Sequence, residues 1–505
     1  MRMNETMANV GTGAGEGREE GTTEVATEPA TGVATVVATG VAAGRTTERP
    51  GWTARLAARP VFMCGFRPFF LATAVYGVLV VLAWTGFLGA GLPLPAVAGG
   101  PFVWHAHELM FGFGLAAVAG FVLTAVPEFT ATQAFAPRVA VRMVLLWLAA
   151  RATFWLSGSL AALAGGGSTS AATGAQGDLA WIGHLPAAVL NTGFALAVVA
   201  MVAPRLWRDP ERRHLGFLWG LGAMAVAVAG FHVDVLRDAY PMRWVLVALG
   251  VMMSLIVVAM SRISMRVMND ALDAERARRL PAHALRHHEE AELELPSYRA
   301  RPPRRNLAIS AIALYTAAEF ALPQAAITGW LGLAAAAAVF NLLNDWHVGR
   351  ALFSRWAFML YAVYWLLALG YGLIGLAHLG VPVAPSAGVH LLAIGAMGLS
   401  IFAVLCIAGR THAGYALDLR PWVVAAALLI GAAALARAAA GLPAMPVAAL
   451  QLVAGLAWIT AFALAAWRLG VLFIAPRVDG GEGCEEVRTP PMQSAPTGDA
   501  VPAHN

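Results

Sequence analysis

The stretch Trp104-His105-Ala106-His107-Glu108-Leu109-Met110-Phe111-Gly112-Phe113 decides how this chain is read. Two histidines and a carboxylate open an apolar run that otherwise has the composition of a lipid-spanning helix. Ionisable groups at a membrane boundary are costly unless paired or bound to something, so they mark function by default. Neutral imidazole is also a common ligand for haem iron, copper and zinc. The segment therefore predicts a metal site near one membrane face.

The rest of the chain supplies the membrane context. Hydrophobic residues make up 59% of the 505 and charged residues only 12%, with a mean hydropathy of +0.66. Soluble proteins carry about 25% charged residues. The net charge of +5 does not imply a nucleic-acid partner, because the arginines alternate between loops in a topological pattern. Cys64, Cys406 and Cys484 are scattered, with no C-x-x-C-H for covalent haem attachment and no disulfide framework or cysteine zinc knuckle.

Residues 1–59, rich in Gly, Thr, Ala and Glu, read as a disordered cytoplasmic tail without a signal peptide. Apolar runs of the ~20 residues needed to cross a bilayer follow near 69–90, 104–126, 140–164, 179–203, 214–235 and 242–262. Six more lie near 306–324, 326–345, 355–379, 386–409, 421–440 and 446–474. The fold class expected is all-α, a polytopic integral membrane protein with about 12 transmembrane helices. The membrane domain spans 60–475, in halves 60–262 and 306–475 joined by a cytoplasmic loop 263–305, and 476–505 forms a second disordered tail. Arginine is dense before the first run and in the even-numbered connections. It is absent from the connections at 91–103, 165–178, 322–326, 380–386 and 441–446, and only the connection between the fifth and sixth runs breaks the pattern, with Arg237 and Arg243 offset by Asp234 and Asp238. By the positive-inside rule both termini are cytoplasmic.

On this topology His105, His107, His184, His232, His378 and His390 gather at the outer ends of their helices. Residues two apart on an α-helix point about 200° apart, so His105 and His107 are expected to serve different partners, or to lie in an unwound helix entry. Glu108, three residues from His105, could accept that imidazole's second N–H and fix its orientation. Met397 lies on the face of His390, where core packing outweighs a copper-ligand role. A smaller inner group contains His347 and His412, flanked by Arg350 and Arg410, with Arg67 on the same face. These arginines could meet haem propionates or anionic lipid, and structure is the plainer role for Arg67. His287 and His288 in the 263–305 loop read as a solvated segment. Within the membrane Arg151 and Glu319 need partners, and could pair with each other.

The segments Gly65-Phe66-Arg67-Pro68-Phe69-Phe70-Leu71, Trp104-His105-Ala106-His107-Glu108 running into Phe111-Gly112-Phe113, and Gly120-Phe121-Val122-Leu123-Thr124-Ala125-Val126-Pro127 resemble the NnrS family. The likeness continues through His232, Arg262, Asn269, Trp346-His347, Leu369-Gly370-Tyr371 and the segment from His390, over roughly 60–475. It implies a twelve-helix bacterial inner-membrane protein with non-covalent haem and copper, associated with nitric oxide and nitrosative stress. It thus points to His105, His107, His232, His390, His347 and His412 as metal or haem ligands. Glu108, Arg67, Arg350 and Arg410 would support the cofactors. One motif departs: where the family usually has Gly-His-Thr-Gly-Arg, this chain has Thr411-His412-Ala413-Gly414-Tyr415.

Glycines on the second and tenth runs leave room for a macrocycle, so haem is expected at the outer cluster and a second site at the inner one. Residue type alone does not divide the histidines between haem and copper. The partners expected are the lipid bilayer and nitric oxide or another small diatomic, and no defined catalytic activity follows. The competing class is a twelve-helix secondary transporter without a redox cofactor, whose substrate site would lie near the bilayer midplane.

Overall fold

The computed structural model describes residues 51–165, 179–210, 212, 214–279, 297–481, 483 and 484; His287 and His288 lie outside them. Among the described residues there is helix and no strand. In chain order the helices are α1 (Phe66–Ala90), α2 (Gly100–Phe129), α3 (Pro137–Trp155 continued by Ser157–Ala164), α4 (Ala180–Arg208), α5 (Leu215–Leu236) and α6 (Met242–Arg279). They continue as α7 (Pro302–Ala321), α8 (Ala326–Leu342), α9 (Arg355–His378), α10 (Pro385–Thr411), α11 (Pro421–Ala439) and α12 (Val447–Ile474).

Each apolar run has become a helix, but not each is an equally plain span. Among the described residues ten helices are long and apolar enough to cross a membrane, and α3, bent by 57° after Trp155, makes an eleventh if taken as one span. The remaining one, α7, opens with Pro302-Pro303-Arg304-Arg305-Asn306 and carries Glu319, which dilutes its apolar length. Several boundaries differ from those expected. A short helix, Trp52–Ala57, lies inside the presumed first tail, and α6 continues past 262 to Arg279. Arg477 and Cys484, beyond the last helix, pack back on the bundle. Buried Arg477 donates to the His412 carbonyl at 3.0 Å, and Cys484 pairs with Cys64 as a disulfide where none was expected.

The bundle is ordered by burial rather than by hydropathy. In α2 83% of the spanning window is inside the protein and in α10 78%, against 33% for α1 and α12. Similar hydropathies thus conceal two classes, and α2 and α10 with α6 form the centre while the others wrap them. Close approach is bought by glycine at contacts such as Gly77, where an added Cβ would stand 2.9 Å from the Phe113 ring. The Gly77 carbonyl accepts the Trp458 indole N–H at 3.1 Å, tying α12 to α1.

The two central helices share an interruption. Each begins as regular α-helix through a histidine, His107 or His390, and then widens into a seven-residue π-helical segment, Glu108–Gly114 or Leu391–Met397. Both have glycine five residues after the histidine, Gly112 and Gly395. π-Helical turns are rare and cluster at functional sites because they redirect side chains and free backbone carbonyls. One such carbonyl, Gly112, receives the Trp147 indole N–H at 3.1 Å.

Candidate metal centres at one end of the bundle

His105 and His107 lie on the same regular turn of α2 and face opposite sides, as their spacing requires. They enter two separate environments, each with a second histidine from another helix. These four histidines therefore form two pairs.

The first pair is His107 with His232 of α5, both buried, their rings 5.5 Å apart and nearly perpendicular. Phe154 stacks on His107 at 3.5 Å, and Phe111 and Phe231 close the remaining sides. Glu108 is the anchor. Its Oε1 lies 2.8 Å from His107 Nδ1 and accepts Arg151 Nη1 at 2.9 Å, while Tyr76 O–H donates to Oε2. Arg151 in turn donates to Asn191, and the Trp155 indole donates to Tyr76 at 3.0 Å. A carboxylate held by arginine and tyrosine fixes the Nδ1–H tautomer of His107, leaving the lone pair on Nε2. Nε2 of His107 and Nε2 of His232 are both buried without a hydrogen-bond partner. Leaving such groups unsatisfied costs about 1–3 kcal/mol each, so a ligand shared by the pair would offset that cost. Two imidazole nitrogens suit copper. Among the described residues no group of three or more His, Cys, Asp or Glu is placed to hold a metal, so the protein would offer an ion there two imidazoles at most.

This network corrects two expectations. Glu108 supports His107 rather than His105, because the side chain beside it at the α-to-π junction turns to the same side of α2. Arg151 and Glu319 do not pair. Arg151 pairs with Glu108, and Glu319 lies 2.9 Å from His378 Nε2.

The second pair is His105 with His390 of α10, which line one cavity of about 380 Å³. His105 stacks on Trp84 at 4.2 Å, and its Nδ1 is buried without a partner. His390 Nδ1 lies 2.7 Å from the Ser386 carbonyl, so it carries the proton and leaves Nε2 with the lone pair. The walls are otherwise largely apolar, with Met397, Leu249 and Trp458 among them, and two further polar side chains, Arg437 and Gln451, reach in from α11 and α12. An apolar cleft of this size with a few convergent polar groups is what a cofactor site requires. Imidazoles from α2 and α10 facing one space fit a planar tetrapyrrole.

Two smaller cavities continue along α2, α6 and α10 towards the other end of the bundle. The nearer, about 60 Å³, is lined by apolar side chains such as Ala117, Met252 and Val404, with Ser400. The farther, about 150 Å³, reaches Glu128, Arg262, Arg266 and His412. His412 Nδ1 bonds the Cys484 carbonyl at 2.9 Å, and its Nε2 lies 3.6 Å from Glu128. His347 is exposed, and no contact joins it to His412 among the described residues, so the geometry does not assemble the expected second centre. Arg350 is exposed too. Arg67 is buried and spends its Nη1 on the carbonyls of Pro60, Phe473 and Ala475, which closes the ends of α1 and α12 together. Arg410 packs on the Tyr415 ring at 5.3 Å and bonds Ala416 and Asp418, shaping the loop after α10. Asp418 in that loop is held well below the ordinary carboxylate range, chiefly by hydrogen bonds from Arg420 and also by Trp422 and Arg410.

Sequence reading missed Tyr76, Asn191, Trp155 and Arg437. Only Arg437 carried a signal, as an arginine inside an otherwise Ala- and Leu-rich run. No curated protein matches the chain. The family model described as NnrS protein matches residues 60–477, across the histidine pairs and every helix of the bundle, and the chain belongs to the NnrS family.

Proposed function

We propose that this chain binds haem and copper in the bacterial cytoplasmic membrane and takes part in the response to nitric oxide and nitrosative stress, or in denitrification physiology. Family membership supports the setting. The observation that carries the reading is the division of four imidazoles into two pairs, one facing a roomy cavity and one enclosed by aromatic rings. We assign haem to His105 and His390, and copper to His107 and His232. Haem held by His105 and His390 would supply an iron centre able to take up an electron or a diatomic ligand, tuned by the burial and hydrogen bonding of the residues that hold it.

The chain's own work is positioning. The Ser386 carbonyl orients His390, and Glu108 with Arg151 orients His107, so that each presents one bare nitrogen. The aromatic box and the apolar walls exclude water. Both termini are cytoplasmic in this reading, which puts the paired histidines at the outer face, and the alternation of arginine-rich loops supports that orientation.

Purification in detergent followed by visible spectroscopy and metal analysis tests the assignment. A Soret band with stoichiometric copper is expected. A colourless, metal-free protein would overturn it and leave the secondary transporter as the reading. A reporter fused to the C-terminus should be active only inside the cell.

A further inference from the structure

Arg437 sits in α11, a membrane-spanning helix of Ala, Leu, Val and Ile, and lines the cavity that holds His105 and His390. Among the described residues it makes no hydrogen bond, ion pair or ring contact. Two arginines that are more deeply buried have partners: Arg151 pairs with Glu108, and Arg67 donates to three carbonyls. Arginine stays charged at any relevant pH, so it cannot relieve its burial by losing a proton. Arg437 is half-buried in the last turn of α11, so its guanidinium is partly desolvated and favours an arriving counter-charge. Among the described residues no acid lines this cavity; its polar side chains are His105, His390, Ser386, Arg437 and Gln451. Within the cavity a counter-charge would come from the occupant.

We propose that Arg437 is the anion-recognition residue of this cavity, receiving an oxyanion group of the ligand that lies between His105 and His390. The planar guanidinium matches a carboxylate or another oxyanion through paired N–H donors. Gln451, from α12, stands ready to donate an amide N–H to the same group. The proposal builds on the haem assignment but does not reduce to it. The anion is either a carboxylate side group of the cofactor or a free inorganic anion such as nitrite, and both present the same oxygens.

The test uses full-length protein in detergent with its cofactor stripped, as wild type, Arg437→Gln and Arg437→Lys. Each is titrated with haemin and with haemin dimethyl ester, whose carboxylates are masked, and the Soret change gives the affinities. If Arg437 holds the cofactor's carboxylate, wild type prefers haemin over the ester by tenfold or more. Arg437→Gln loses that preference and Arg437→Lys keeps part of it. If a free anion is held, wild type takes both porphyrins equally, and sodium nitrite raises the melting temperature of wild type but not of Arg437→Gln. A chain that binds neither porphyrin refutes the haem assignment, and the nitrite response of the metal-free protein then decides the role of Arg437. Equal porphyrin affinities together with identical nitrite responses in wild type and Arg437→Gln would overturn the proposal.

Discussion

The α2 and α10 helices use one backbone device in two chemical settings. Each carries a histidine, then seven residues of π-helix, with a glycine at the fifth position after the histidine. In α2 the residue after the histidine is Glu108, and the imidazole is backed by a carboxylate in a buried network with Arg151 and Tyr76. In α10 the corresponding residue is Leu391, and the imidazole is backed by the Ser386 carbonyl beside a cavity. Carboxylate backing makes an imidazole a more basic ligand than carbonyl backing does. The comparison teaches that one backbone break can follow two histidines whose surroundings differ, and that those surroundings decide what backs each imidazole.

The largest effect should come from removing the histidines. His107→Ala is expected to lose copper and keep haem, whereas His390→Ala loses haem and keeps copper, both read by metal analysis on purified protein. Loss of the same metal from both variants would merge the two pairs into one centre and end the comparison.

Next is the residue that distinguishes the helices. Replacing Glu108 by Leu strands Arg151 in the membrane interior, and breaking one partner of a buried pair costs about 3–5 kcal/mol. Leu391→Met, the matched change in α10, should cost under about 1.5 kcal/mol. Melting in detergent measures both, and the double variant Glu108→Leu with Arg151→Met should recover most of the loss. Equal melting temperatures for Glu108→Leu and Leu391→Met would show that the network contributes nothing to the fold.

The two glycines offer a finer contrast. A Cβ at Gly112 would stand 2.6 Å from Tyr76 Cε1 and 3.0 Å from Glu108 Oε2, inside the hydrogen-bonded network. At Gly395 the nearest atoms are methyls of Leu366 at 3.2 Å, which can swing aside. Gly112→Ala should therefore cost about 1–3 kcal/mol and weaken copper retention, while Gly395→Ala costs less than half as much. A reversed order would show that the glycines serve the backbone of the π-segments rather than side-chain space.

How much of this is legible in the sequence follows from the range of each interaction. Hydropathy acts over a single helix, so the twelve runs could be read locally, and α7 was the weakest because of its basic start. The opposed directions of His105 and His107 follow from helix arithmetic over two residues. The π-segments leave no local signature beyond their glycines. Choosing His232 over His390 as the neighbour of His107 requires knowing which helices touch, and no single-helix property carries that. Arg151 announced a need for a partner but not its identity, since Glu108 lies on another helix 43 residues earlier. Cys64 and Cys484 are 420 residues apart and meet only because the chain's ends pack together.

The smallest effect concerns the acid that α10 does have, beyond its far end. Asp418 accepts Arg420 Nε at 2.9 Å and Trp422 Nε1 at 3.0 Å, with Arg410 of α10 at 3.4 Å. These donors favour the carboxylate over the acid, so its native pKa lies below the unfolded one. The unfolded state then binds a proton first as pH falls. The stabilisation is fully present above the unfolded aspartate pKa of about 3.9 and is lost as pH drops towards the depressed native value. Because Arg420 is 54% exposed, water screens much of the pairing, and Asp418→Asn should cost no more than about 1 kcal/mol near neutral pH. The gap in melting temperature between wild type and Asp418→Asn should hold steady from pH 7 to 5 and narrow below pH 4. A gap that widens on acidification would mean that the loop favours the protonated acid, and the contrast between a paired α2 carboxylate inside the membrane and a paired α10 carboxylate beyond it would fail.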